Sequence, residues 1–485
     1  MKPFVHKFET DRLKYVYDVN SNRVFQVSEV AYEIFDEYQD DNSSGLAERF
    51  PQFKASDLKR ACREIRRARK RDGIFSSDRP SRMAFYEDRP VEDLIVSRPH
   101  EQLILNVTER CNLRCTYCVY GGSYPGMRKH GTRDMSFDTA KLALRTFLSN
   151  CDEECAISFY GGEPLLNIDL IKFVVAEAES GHDGRFFFSM TTNGTLLDPE
   201  SIDFLRDKNF FLLISLDGPQ EVHDSHRVYS DGRGSFEQLM HNLDHLYTHH
   251  REYHDEMVSF STVSVPPGKL KAVGDFFATE PMVMNHLVNF SSVEGINDYL
   301  RPLLRKEDIE ESRIDSGILR DEYLSKVKQA KAPGAFLDAL FQKRLARFYH
   351  RPKTFLGPRL ELNGCCIPGS RRIFVTVDGA LHTCERLDNA YPIGTVESWI
   401  EPRLVNRLVN DYLDASRDCL SCWACRVCSE CFAGLFKLPD RSAPALRWER
   451  CEQNRWDLDK LMVSYYSLVE EDPSILDFLE HVTFM

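Results

Sequence analysis

No stretch of this 485-residue chain approaches the roughly 20 consecutive apolar residues that a membrane-spanning helix needs. Its opening, Met1-Lys2-Pro3-Phe4-Val5-His6, lacks the apolar core of a secretory signal. A cytoplasmic protein without a membrane partner is expected. A basic excess is missing too: 62 Lys and Arg against 75 Asp and Glu leave a net charge of −13. That is the wrong sign for general binding to phosphate backbones, so no nucleic-acid partner is expected. Cysteine, by contrast, is plentiful at 15 residues. Without a secretion signal, tight cysteine clusters read as metal ligands rather than disulfides.

The first cluster is Cys111, Cys115 and Cys118, directly after the strand-like Gln102–Val107. Iron-sulfur cubanes are normally held by four thiolates, so a compact set of three leaves one iron open to another ligand. Zinc is the alternative, but a structural zinc site wants four ligands, and the next cysteine, Cys151, lies beyond a predicted helix.

From 102 to about 293 the pattern alternates strand and helix, with strands expected near 102–107, 156–160, 185–190, 211–215, 257–264 and 287–292. Alternation implies parallel strands covered by helices. Three further motifs follow in order: Gly161-Gly162-Glu163-Pro164, then Thr191-Thr192-Asn193-Gly194, then Ser215-Leu216-Asp217-Gly218-Pro219 with His223, Asp224 and Arg227. Each alone would read as a turn.

Taken together, the cysteine spacing with Tyr117 before its last cysteine and the ordered motifs closely resemble the radical S-adenosylmethionine (SAM) enzymes. The resemblance implies an α/β fold built on a partial (β/α)6 TIM-type barrel. Cys111, Cys115 and Cys118 would hold a [4Fe-4S] cluster, and Gly161, Gly162, Glu163 and Pro164 the SAM amino group. Thr192, Asn193, Ser215, Asp217 and Arg227 would contact ribose and carboxylate, with Tyr117 beside them. It also implies SAM cleavage to a 5′-deoxyadenosyl radical, with electrons from a protein such as flavodoxin or ferredoxin.

Nine cysteines crowd the C-terminal third: Cys365, Cys366, Cys384, Cys419, Cys422, Cys425, Cys428, Cys431 and Cys451. With Gly379 before Cys384, their layout resembles the SPASM extension of radical SAM peptide-modifying enzymes. The resemblance assigns Cys366, Cys384 and Cys431 to a first auxiliary cluster and Cys419, Cys422, Cys428 and Cys451 to a second, for three [4Fe-4S] clusters in all. Cys428 and Cys431 stand one residue closer than the family pattern, Cys425 is extra, and Cys365 is either a fourth ligand or a spare; spacing leaves these alternatives open, and paired zinc sites also satisfy such cysteine pairs. Cys62, Cys151 and Cys155 are read as buried small apolar residues, and His245, His249, His250 and His254 as solvated helix residues.

The expected organisation is a small separate domain over 1–75, a linker over 76–98, the barrel over 99–293, a helical bridge over 294–360 and the auxiliary-cluster domain over 361–485. The first domain is read as a hairpin, Leu13–Asp18 with Arg23–Val27, followed by helices opening at Ser28 and Ser56, the second with a heavily basic face. It resembles the winged-helix leader-recognition domains of peptide-modifying enzymes, which implies a precursor peptide with a leader as partner. Among such enzymes the chain looks most like maturases that form intramolecular thioethers in cysteine-rich ribosomal peptides. The other readings are carbon-carbon cross-linking, oxidation of a serine or cysteine in a sulfatase, and a non-catalytic electron-transfer or peptide-binding module. Intact Gly161–Pro164 argues against the last, which has no use for a SAM amino group.

Overall fold

The structure is a computed structural model, and it describes residues 2–38, 45–86, 89–96, 99–124, 126–181, 184–293, 305–361, 364, 366–387, 389–436 and 444–482. Three short antiparallel strands open the chain: β1 (Val5–Glu9), β2 (Lys14–Asp18) and β3 (Arg23–Val27), in the order β1-β2-β3. The expected hairpin is β2 and β3; β1, too polar to stand out, pairs on its other side. Ser28 caps helix Glu29–Ile34 by accepting from the Ala31 amide. Helix Ala55–Asp72 ends at Gly73, whose φ of 69° is the left-handed closure glycine tolerates.

This sheet packs against two cores, one on each face. Val16 points into a small core with Ile34, Phe35, Leu58, Cys62 and Ile65. The alternate residues Phe8, Tyr15 and Tyr17 belong to the main core, where Phe8 and Tyr15 pack on Tyr466 of helix Pro444–Val469. Both faces are therefore apolar, and burying both requires two partners. The expected linker is also structured: β4 (Arg82–Ala84) pairs in parallel with β11 (Arg359–Glu361), and helix Val91–Val96 follows.

Six parallel strands come next, in sequential order: β5 (His100–Thr108), β6 (Cys151–Gly161), β7 (Arg185–Thr192), β8 (Phe211–Ser215), β9 (Val258–Ser264) and β10 (Val288–Ser292). All six expected strands are present. The sheet continues from β5 through β12 (Arg372–Val375), β13 (Ala380–His382), β14 (Gly394–Thr395) and β15 (Trp399–Ile400), giving ten strands. β12 joins β5 in parallel, and β13 to β15 are antiparallel. The C-terminal region thus extends the partial barrel-like sheet and carries helices beyond it.

Strand alternation decides what the barrel encloses. Leu103, Leu105, Val107, Ile157, Phe159, Ile373, Val375 and Leu381 lie in the main core beneath the helices. Their neighbours Gln102, Ile104, Asn106, Ser158, Tyr160, Phe374 and His382 face the other, concave side. That side is polar: Gln102 Nε2 donates to Ser158 Oγ at 2.6 Å, and Ser158 and Ser189 hydroxyls meet at 2.6 Å. Of the expected bridge, 294–304 lies outside the described residues; helices Lys306–Lys328 and Lys343–Tyr349 occupy the rest. Among the described residues no helix is long and apolar enough to cross a membrane.

Candidate active site

The cysteine loop leaves β5 and is fastened at once to the loop after β6. Gly162 N donates to Thr108 O at 2.9 Å, and Glu163 N to Arg110 O at 2.8 Å. The approach is too close for side chains: a Cβ on Gly162 would lie 2.0 Å from Arg110 O, and one on Gly161 (φ 144°) 2.4 Å from Thr108 O. Two consecutive glycines are needed here by contact as much as by backbone angle.

Glu163 is almost fully buried. Its carboxylate accepts from Thr192 Oγ1 at 2.7 Å and Asn193 N at 2.8 Å, joining the β6 and β7 loops. Burial raises its pKa to about 7 despite these donors. A cationic amino group placed beside it would favour the charged form. Asn112, within the cysteine spacing, completes the tie: its Nδ2 donates to Thr195 Oγ1 at 2.8 Å, and its Oδ1 accepts from Asn193 Nδ2 at 2.9 Å.

Asp217, two residues past the end of β8, is 2% exposed. It accepts from Tyr117 Oη at 2.5 Å, Arg227 Nε at 2.9 Å and Val263 N at 2.9 Å. The fork expected to bind a ligand carboxylate is thus bonded to the chain's own carboxylate, because both charges are buried and each needs the other. Ser215 closes β8, half-buried.

None of the fourteen described cysteines is in a disulfide, and Cys365 lies outside the described residues. Burial pushes Cys111 up to about 12, Glu163 adding to it, and Cys115 to about 12 against the pull of Arg227. Cys118 is raised by burial as well. Thiols this basic become thiolates at neutral pH only against bound metal charge, which is how a closely spaced, buried cysteine set fits an iron-sulfur cluster.

The C-terminal cysteines fall into two neighbourhoods. Cys384, pushed up to about 12 by burial and then by Glu385, feels Cys431 and Cys366. Cys428, also raised to about 12 by burial, feels Cys422 and Cys451. Cys425, at about 12 through burial, feels Cys422, Cys419 and Cys428, so it stands with the second set. Close backbone packing builds the first set: a Cβ on Gly364 would meet Ser429 O and Glu430 O at 2.3 Å. Arg450 builds the second, holding both Glu430 oxygens at 2.8 and 2.9 Å and so anchoring the helix that carries Cys451.

Among the described residues, the group with three donors within 4.8 Å of one another is His254, Asp255 and His286. His254 is fully buried, correcting its reading as a solvated helix residue. Its nitrogens meet Asp255 Oδ1 at 2.8 Å and Met282 O at 3.0 Å, so it is satisfied without a metal. Sequence reasoning missed Asn112, which was legible only from its place between Cys111 and Cys115.

Residues 105–265 match the Radical SAM superfamily. Over 154 residues the chain is 30% identical to the cysteine-type anaerobic sulfatase-maturating enzyme of Clostridium novyi (strain NT), covering 31% of this chain and 41% of that protein. It is 25% identical over 171 residues to the radical SAM cyclopropyl synthase TigE of Paramaledivibacter caminithermalis, covering 33% and 36%. The chain therefore spans about two fifths of the curated relatives' length. The solved structure of native anSMEcpe with bound AdoMet matches with a TM-score of 0.56 at 18% identity, over 79% of this chain and 100% of that one, a likeness of fold. These matches share the domain built around the loops that join Cys111–Cys118 to Gly161–Glu163, and over residues 105–265 it is similar to the radical SAM superfamily.

Proposed function

We propose that this enzyme oxidises a peptide substrate by removing hydrogen from carbon, with a cluster on Cys111, Cys115 and Cys118, SAM along Gly161–Pro164, and two auxiliary clusters in the C-terminal region. The observation that carries the reading is the fastening of the cysteine loop to the Gly161–Glu163 loop at 2.8 and 2.9 Å. When bound, a cluster and SAM together supply one-electron hydrogen abstraction. The chain's own share is to hold the ligand ammonium at Glu163, to fix the loops through Asn112, Asn193 and Thr192, and to keep water out with Tyr117, Tyr120 and Tyr124, all buried. Auxiliary clusters suit such a reaction because a net oxidation must deliver a second electron.

Oxidation of a single cysteine or serine side chain is the better-supported outcome, since several curated relatives are sulfatase-maturating enzymes, of both the cysteine and serine types. Thioether formation is the second reading, supported by the N-terminal sheet packed onto the auxiliary-cysteine region: His6 stacks on Trp423 at 3.6 Å, and Arg426 Nη1 donates to Asn20 O at 3.1 Å. In this reading the sheet seats a leader peptide.

The test is anaerobic reconstitution with iron and sulfide, followed by assay of 5′-deoxyadenosine from SAM under reductant. About twelve irons with deoxyadenosine formation are expected; zinc, or iron without cleavage, overturns the proposal. With a cysteine peptide, loss of two hydrogens together with exchange of sulfur for oxygen marks side-chain oxidation to an aldehyde, and loss of two hydrogens with sulfur retained marks a thioether.

A further inference from the structure

Among the described residues, three donors meet the sulfurs of the first site. Two are main-chain amides of the cysteine loop itself: Leu113 N lies 3.4 Å from Cys111 Sγ, and Tyr120 N lies 3.4 Å from Cys118 Sγ. The third is a side chain. His130, twelve residues beyond Cys118, sets its Nε2 3.8 Å from Cys118 Sγ.

The loop folds back on itself to bring this histidine to the cysteine. Gly121 and Lys129 form an antiparallel bridge, Gly121 N donates to Cys118 O at 2.9 Å, and His130 N donates to Tyr120 O at 2.7 Å. Gly131 N then donates to Glu109 O at 3.2 Å, fastening the returning chain to the start of the cysteine loop. Tyr120 thus gives its amide to the sulfur and takes the histidine amide on its carbonyl, so both donors converge on one atom. Main-chain amides donate whatever residue carries them, whereas the imidazole depends on a single side chain.

The direction of this hydrogen bond follows from the chemistry of a ligand. Cysteine binds metal as the thiolate, which has no hydrogen to give, so the hydrogen between the two atoms belongs to His130 Nε2. Hydrogen bonds to the sulfurs are among the features that set the potential of an iron-sulfur cluster. Such bonds strengthen as the acceptor becomes more negative. The reduced form carries one electron more than the oxidised form, so a donor at a ligand sulfur favours reduction.

We infer that His130 is a positioning residue of the first site, acting through Cys118 Sγ to raise the reduction potential of the cluster held there. It eases entry of the single electron, delivered by a reduced iron-sulfur or flavin protein, that SAM cleavage consumes. The inference deepens the radical SAM reading and rests on it.

The test is a redox titration of the reconstituted full chain, followed by electron paramagnetic resonance. The first site's signal is the one that Cys115→Ala lacks. His130→Phe keeps a ring but has no N–H. At a fixed applied potential its ratio of reduced to oxidised first cluster should be about tenfold below that of the unaltered protein, a shift of about 59 mV. His130→Gln, with an amide N–H in place of Nε2, should stay within about twofold of the unaltered protein. The auxiliary signals should hold still in both variants. A change under about twofold in His130→Phe, or an equal fall in both variants, overturns the inference. A second measurement needs no variant: with isotope-labelled histidine in the unaltered protein, the reduced first cluster should show a histidine nitrogen coupling in pulsed resonance spectra. Absence of that coupling also overturns the inference. If Cys115→Ala retains every signal, the radical SAM reading itself fails, an outcome distinct from a silent His130 substitution.

Discussion

Tyr117 and Asp217, a hundred residues apart, share a 2.5 Å hydrogen bond in which the tyrosine hydroxyl donates, and Arg227 closes on the same carboxylate oxygen at 2.9 Å. The cysteine loop and the end of β8 are thereby locked to each other. Asp217→Asn removes the charge but keeps the shape, leaving the buried Arg227 guanidinium, 8% exposed at its side chain, uncompensated. A loss of about 3–5 kcal/mol is expected, read by anaerobic denaturant titration. A loss under about 1 kcal/mol, the size of an exposed pair, would mean the site is open to water.

Cys115→Ala is expected to abolish SAM cleavage while leaving the C-terminal clusters intact. Iron should fall from about twelve to about eight per chain. Unchanged cleavage would remove the assignment of the first site.

Gly162→Ala adds one methyl group 2.0 Å from the Arg110 carbonyl. Backbone must move, and the cysteine loop with it. The variant should lose the iron of the first site and SAM binding together, as measured by iron content and dialysis; full retention of both would show that the two loops are not fastened as described.

Glu163 gives a signed pH dependence. Its folded pKa of about 7 lies above the ordinary 4.5, burial being the main cause. Between these values the folded state holds more protons than the unfolded one. Its contribution therefore favours folding below about pH 4.5 and is lost as pH rises to about 7, amounting to about 3 kcal/mol. Glu163→Gln should flatten that part of the cluster-free protein's stability profile. SAM binding should strengthen as pH rises through 7, since its ammonium prefers the ionised form.

Arg450→Ala should free the Cys451 helix from Glu430. The expected result is partial loss of iron from the second auxiliary set with SAM cleavage preserved; iron analysis and the deoxyadenosine assay distinguish this from general misfolding.

The sequence alone determined the parts of this protein that depend on near neighbours. The strands β5 to β10 follow from apolar runs separated by helical periods, and the cysteine, glycine and strand-end motifs follow from spacing a few residues wide. The six parallel strands of the partial barrel-like sheet were legible for that reason. Relations between distant segments were decided only by the tertiary structure. β1 carries Val5-His6-Lys7-Phe8-Glu9, a pattern too mixed to read as a strand until β2 lies beside it and helix Pro444–Val469 covers it. Arg227 has the look of a ligand-binding arginine, yet burial beside Asp217 commits it to an internal pair, because two desolvated charges are less costly together than apart. Cys425 cannot be placed by counting residues, and it joins Cys419 and Cys422 only because the chain folds it there. Arg128 and Glu385 meet across 257 residues; hydrogen bonding and burial act through space, and no local pattern of residues records which distant partner the fold will bring.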